Sequence, residues 1–149
     1  MKRAPCLFLD ASVWIAAAGS KTGGSSLVLE LGRQGQVKIV CSRHVLLEAE
    51  RNIRKKLGRE ALLCFYKDTA STSLELVETP HPDEIAAQEQ VIDRKDAHVL
   101  AAAVKEEVEF LLTLDRKHFM SPKVRRAGLP FQIMTSGDFL RYWLQGKYR

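Results

Sequence analysis

Two short, unbroken apolar runs each end in an aspartate, and they constrain the fold more than anything else in the chain. Cys6-Leu7-Phe8-Leu9 runs into Asp10, and Phe110-Leu111-Leu112-Thr113-Leu114 runs into Asp115. Apolar runs of this length, without alternation, read as strands buried on both faces. An Asp at the carboxyl end of such a strand points into the crevice where open α/β sheets bind ligands. Two of them, far apart in sequence, imply a shared acidic pocket. Several carboxylates close together do not all stay ionised unless a cation joins them. A hard divalent metal is the simplest such cation, and phosphodiester hydrolysis is the chemistry it brings.

The rest of the chain alternates strands and helices. Strands are expected at 6–10, 37–41, 74–77, 110–114 and 131–134. Between them, helices are expected through Val13–Ala16 and at 26–33, 43–57, 59–68, 83–92 and 94–108, with a last one at 136–145. Gly19–Ser25 reads as a loop, and Thr79-Pro80-His81-Pro82-Asp83 as a turn and helix start. This order argues for an α/β fold, a parallel sheet with helices on both faces. The 149 residues fit a single domain, 1–149, with no repeat, low-complexity tract or linker.

No apolar stretch is long enough to span a membrane. The basic start Met1-Lys2-Arg3 precedes an apolar run that stops at Asp10, so it reads as a first strand and not a signal peptide. Cys6, Cys41 and Cys64 have no CxxC spacing and an odd count. That argues against a disulfide framework or a zinc site and fits a reducing, cytoplasmic setting. The net charge of +5 favours an anionic partner.

Two helices carry further acids. In 43–57, Val45, Ala49, Ile53 and Leu57 form an apolar stripe. At about 100° per residue, Glu48 falls at the edge of that stripe. Asn52, Lys55 and Arg59 continue the same edge, a cationic ridge suited to a phosphate backbone. In 94–108, Ala97, Leu100, Ala101, Val104 and Val108 form the buried face. Asp93 caps that helix, and Asp96 stands in its first turn, where the helix dipole favours an ionised carboxylate.

Each acid also has a plain structural role. Asp10 and Asp115 fit as helix caps, Asp96 as a first-turn charge, and Glu48 as a partner of Arg51 or Asn52. What singles the four out is that all map to one side of a doubly wound sheet. Ser12 and Thr113, two residues from Asp10 and Asp115, have hydroxyls placed to orient a carboxylate or a metal-bound water, or simply to bond the local backbone. Gly19-Ser20-Lys21-Thr22 lacks the spacing of a phosphate-binding loop. The four His residues show no metal-ligand spacing, and His118, three residues after Asp115, reads as a surface group within reach of the site. Phe139, Tyr142, Trp143 and Tyr148 read as core packing or a subunit contact. Lys and Arg cluster in 51–59, in 116–126 and at Arg141, Lys147 and Arg149, a cationic rim around an acidic centre.

Four segments together resemble the PIN-domain ribonucleases, which include VapC-type toxins of toxin–antitoxin pairs. Leu7-Phe8-Leu9-Asp10-Ala11-Ser12 is similar to the family's first strand and catalytic Asp, and Ser42-Arg43-His44-Val45-Leu46-Leu47-Glu48 to its second acidic segment. Lys95-Asp96-Ala97-His98-Val99-Leu100-Ala101-Ala102-Ala103 is similar to the third motif, and Leu112-Thr113-Leu114-Asp115-Arg116-Lys117-His118-Phe119 to the fourth. The order and spacing extend from residue 6 to about 140. The resemblance implies a three-layer α/β/α sandwich around a short parallel sheet, and Mg²⁺- or Mn²⁺-dependent hydrolysis of RNA. It also implies a homodimer. Two positions depart from the pattern. His118 stands where some members have another acid, and Ala11 where a small polar residue is common, leaving Ser12 to serve.

The expectation is a metal-dependent endoribonuclease acting on single-stranded RNA, in the manner of a toxin with a protein antitoxin. Asp10, Asp96 and Asp115 would bind metal, Glu48 would complete the site, and Lys55 and Arg59 would contact substrate. The alternative is a PIN-fold module that binds RNA or protein with little or no catalysis. A haloacid-dehalogenase-like phosphatase would want a second Asp where Ser12 stands. A receiver domain would want paired acids after the first strand, which this chain lacks.

Overall fold

The computed structural model describes residues 3–146, so Lys147, Tyr148 and Arg149 lie outside the described residues. Five strands form one parallel sheet: β1 (Cys6–Leu9), β2 (Lys38–Ser42), β3 (Leu74–Val77), β4 (Phe110–Leu112) and β5 (Gln132–Met134). Their order is β3-β2-β1-β4-β5. The chain therefore steps outward from β1 on one side, then returns to begin again on the other. The β1/β4 junction is the point where the winding reverses, and such a switch point leaves a crevice at the carboxyl ends of its strands.

Between the strands lie α1 (Ala11–Gly19), α2 (Gly24–Arg33), α3 (Arg43–Lys56), α4 (Arg59–Ser71), α5 (Pro82–Gln88) and α6 (Ala97–Lys105). Short α7 (Arg116–Phe119) and α8 (Pro122–Arg125) follow β4, and α9 (Ser136–Leu144) follows β5. Helix α1 packs on α2, α3 and α4, while α5 packs on α6. The result is the expected α/β sandwich with a parallel centre. Right-handed crossovers put the connections of the two windings on opposite faces of the sheet.

The central strand is buried because it is covered on both faces. Leu7, Phe8 and Leu9 are fully buried, as are Leu111 and Leu112 beside them. Register then fixes the site. Leu9 pairs with Leu112, and the next residue, Asp10, donates its backbone N–H to the Leu112 carbonyl at 3.0 Å. Asp10 and Thr113 therefore leave the sheet side by side.

Several boundaries differ from the sequence expectation. Strand β4 ends at Leu112, so Thr113 and Leu114 form the turn that carries Asp115. Leu57 is 45% exposed, because α3 stops at Lys56 and Gly58 takes a φ of 89°. That left-handed geometry suits glycine and breaks the helix. Arg59 thus begins α4 and does not continue the ridge of Glu48. The single helix expected over 94–108 is a 3₁₀ turn at Arg94–Asp96 followed by α6. Asp93 does cap it, accepting from the Lys95 N–H. Helix α6 is buried almost all round, His98 included. Phe139 and Trp143 are core residues, with the Phe139 ring 5.3 Å from Phe110. Among the described residues no helix is long and apolar enough to cross a membrane.

Candidate active site

Asp10, Glu48, Asp96 and Asp115 all line one cleft of about 290 Å³, together with Ala11, Ser12, Ile15, Asn52 and Lys95. Four segments supply the acids: the β1 end, α3, the 3₁₀ turn before α6, and the turn after β4. A wider groove of about 660 Å³ runs between α1 and α4, but it is lined by Leu57, Leu63, Cys64, Lys21 and Lys67, and Glu60 is its sole carboxylate.

The two strand-end acids are tightly held. Asp10 is buried, and its Oδ2 accepts from Ser12 Oγ at 2.9 Å and Thr113 Oγ1 at 2.8 Å. Ser12 Oγ in turn accepts from the Leu114 N–H at 2.9 Å, and Thr113 Oγ1 from the Asp115 N–H at 3.1 Å. The two hydroxyls thus tie the β1 end to the β4 turn. Burial pushes Asp10 above the usual carboxylate range, and the bonds from Thr113 and Ser12 pull partly against it. Asp115 behaves oppositely. Burial pushes it up, but bonds from His118 outweigh that and leave it below its ordinary value. His118 donates its N–H to Asp115 Oδ1 at 3.1 Å, and its ring Nδ1 lies 2.7 Å from Oδ2. His118 is therefore built into the site and is not a loose surface group.

The helix acids are less well met. Asp96 Oδ2 is buried with no hydrogen-bond partner. Burial raises its pKa, and the Asp10 and Asp115 charges add to that against the pull of Lys95 and His118. The helix-end stabilisation expected from sequence is outweighed by desolvation and by neighbouring acids. Glu48 is raised by burial and by the Asp10 and Asp96 charges. Its backbone carbonyl accepts from Asn52 Nδ2 at 2.9 Å, which fixes Asn52 on the cleft wall.

An unpartnered buried oxygen among mutually repelling carboxylates is compatible with a cation site. Carboxylate oxygens suit a hard ion of the Mg²⁺ or Mn²⁺ kind. Asp96, Asp115 and His118 each offer a ligand atom within 4.8 Å of the others. That donor set is compatible with such an ion, and Asp10 lines the same cleft.

Lys55 and Arg59 are exposed and stand outside the cleft lining. The cation in the cleft wall is Lys95, which sequence reasoning passed over although it adjoins Asp96. The spacing of the four His residues also hid a convergence. His44 and His98 stack with ring centroids 3.8 Å apart and planes 5° from parallel. His98 is 5% exposed, and burial pulls its pKa down to about 4, with His44 adding to that and the Lys95 backbone opposing it. It is neutral at pH 7, so its 3.9 Å approach to Glu48 is no ion pair.

A family model described as PIN domain matches residues 7–117. No curated protein sequence matches the chain. Among solved structures, PAE2754 from Pyrobaculum aerophilum superposes with a TM-score of 0.63 at 20% identity, over 95% of this chain and 91% of that one. VapBC2 from Rickettsia felis, bound to a DNA fragment from its promoter, gives a TM-score of 0.63 at 18% identity, over 87% and 98%. Mycobacterium tuberculosis VapC20, a sarcin-ricin-loop-cleaving toxin, gives 0.57 at 18%, over 83% and 95%. At these identities the likeness is one of fold.

Proposed function

This chain belongs to the PIN-domain family, and from that premise we propose that it is a metal-dependent endoribonuclease that hydrolyses phosphodiester bonds in single-stranded RNA. The observation that carries the reading is that Asp96, whose Oδ2 is buried without a hydrogen-bond partner, lines one cleft with Asp10 and Asp115. A binding module has no need of that arrangement, because it leaves the apo protein strained by desolvated acids.

Asp10, Asp96 and Asp115 are the residues that would hold Mg²⁺ or Mn²⁺, with Glu48 completing the acidic set. When bound, the ion supplies an activated water and neutralises charge on the attacked phosphate. The chain's own groups do the positioning. Ser12 and Thr113 hold Asp10 from one oxygen, so its other oxygen keeps a fixed direction. His118 engages both oxygens of Asp115, through its backbone N–H and its ring Nδ1, and favours the ionised form. Lys95 places a positive charge at the cleft wall, where it would meet a phosphate. Lys55 and Arg59 remain proposed contacts for RNA leaving the cleft.

Two neighbours bear on the biological setting: a toxin that cleaves the sarcin-ricin loop and the VapBC2 assembly on promoter DNA. They support the role of a toxin restrained by an antitoxin protein; a homodimer working in the cytoplasm completes the proposal. Cleavage of labelled single-stranded RNA is the test, run with Mg²⁺ or Mn²⁺, with EDTA, and with Asp10→Asn. Metal-dependent cuts that vanish with EDTA and in the variant are expected. Well-folded wild-type protein that cuts no RNA, or a fully active Asp10→Asn, would overturn the assignment.

A further inference from the structure

The residues on the far side of Glu48 carry an inference that does not depend on the nuclease reading. His44, Glu48 and His98 each present a ligand atom within 4.8 Å of the others. They come from two elements: His44 and Glu48 are four residues apart on α3, one turn along the same face, and His98 stands on α6. We propose that these three side chains form a second divalent-metal site, of imidazole–carboxylate type, for a borderline transition-metal ion such as Zn²⁺.

Ligand chemistry separates it from the acidic cleft. Two imidazoles and one carboxylate suit Zn²⁺ and its neighbours, whereas an all-oxygen set suits Mg²⁺. The position of His98 is the independent sign. Its ring is buried in α6, a helix otherwise packed with Ala, Val and Leu, and its Nδ1 has no hydrogen-bond partner. Burying a polar ring there is costly, and the Lys95 backbone offsets that cost only in part. Its Nε2 faces Glu48 Oε1 at 3.9 Å, too far for a hydrogen bond. Ligand atoms around a tetrahedral ion at 2.0–2.2 Å stand roughly 3.5 Å apart, so this gap is close to the spacing needed. His98 is fixed by its burial, whereas His44 is exposed and Glu48 half-exposed. The stacked rings do not aim at one point, so ligation requires His44 to rotate out of the stack. Three protein ligands leave a fourth position open for water. Glu48 then joins the two sites, since an oxygen committed here is withdrawn from the acidic cleft.

The full chain, stripped of metal, should be titrated with Co²⁺ as the spectroscopic probe. The expected result is a visible absorption band of tetrahedral cobalt that persists in Asp96→Asn/Asp115→Asn and in His118→Ala. The same band should be lost in His44→Ala, with affinity falling at least as much as the roughly tenfold that removing even an outer-shell partner brings. A band that survives His44→Ala, a band lost in the Asp96/Asp115 variant while that variant stays folded, or no tetrahedral band at saturating Co²⁺ would overturn the proposal. Imidazole ¹⁵N spectra of wild type with Zn²⁺ need no variant at all. His44 and His98 should shift together while His118 does not, and a response from His118 alone would refute the site.

Discussion

On the strand side of the cleft, Asp10 and Asp115 are held by three neighbours: Ser12, Thr113 and His118. On the helix side, Asp96 keeps a buried oxygen without a partner, and Glu48 faces His98 at a distance too long to bond. The difference follows from how each wall is made. Strand ends arrive in register, so the pairing of Leu9 with Leu112 places the hydroxyls and carboxylates within reach of one another. Helices arrive by packing, which brings Glu48 and Asp96 to the cleft lining but leaves Asp96 Oδ2 without a hydrogen bond. One wall is preorganised by hydrogen bonds and the other is not. In a metal site, that combination lets fixed ligands set geometry while unmet ones supply affinity.

The sharpest way to break this comparison is to remove one carboxylate from each wall. Asp10→Asn and Asp96→Asn should both reduce RNA cleavage to background, whichever wall the acid comes from. If only the strand-wall variant were inactive, the helix wall would not belong to the site. A smaller effect is expected from Thr113→Val, which removes a donor to Asp10 and leaves the Asp115 N–H unmet. Metal affinity should fall roughly 10- to 100-fold, and chemical denaturation should show a loss of about 1–3 kcal/mol. Unchanged Mn²⁺ binding in that variant would show that the hydroxyl bridge does not organise the strand wall.

The two walls should also respond to pH with opposite signs in EDTA. Asp96 has a folded pKa above its ordinary value of 3.8, so it favours the fold below that value and the benefit is lost as pH rises through the raised pKa. Asp115 has a folded pKa below 3.8, so its benefit is present above that value and is lost as pH falls through the depressed one. Metal-free Asp96→Asn should therefore gain stability over wild type as pH rises, whereas Asp115→Asn should lose it. Thermal melts across pH 3–7 would read both trends, and parallel trends would erase the distinction between the walls. The smallest effect concerns cations. Lys95→Gln should lower the salt slope of RNA binding by about one unit. Lys55→Gln and Arg59→Gln, outside the cleft, should change it no more than that.

Much of this site was legible before the structure. The apolar runs into Asp10 and Asp115 set two parallel strand ends, because burial on both faces leaves a recognisable unbroken pattern. The stripe Val45, Ala49 and Ile53 placed Glu48 at a core margin. Propensity at Gly58 was the signal that α3 stops, and following the periodicity past it misplaced Leu57 and Arg59. Lys95 was hidden because helical phase fails across the 3₁₀ turn at Arg94–Asp96. His44 and His98 meet only through the packing of α3 near α6, and no spacing along the chain reports that. The Asp96 pKa likewise depends on acids brought from β1 and β4, which the helix-end argument could not include.

The most direct test of the two-wall account is an anomalous difference map from crystals of the wild-type chain soaked in Mn²⁺. The account predicts a peak within ligand distance of the Asp10, Asp96 and Asp115 carboxylates, bridging the strand wall and the helix wall. A cleft that stays empty at a Mn²⁺ concentration that supports RNA cleavage, or a peak held by one wall alone, would contradict it.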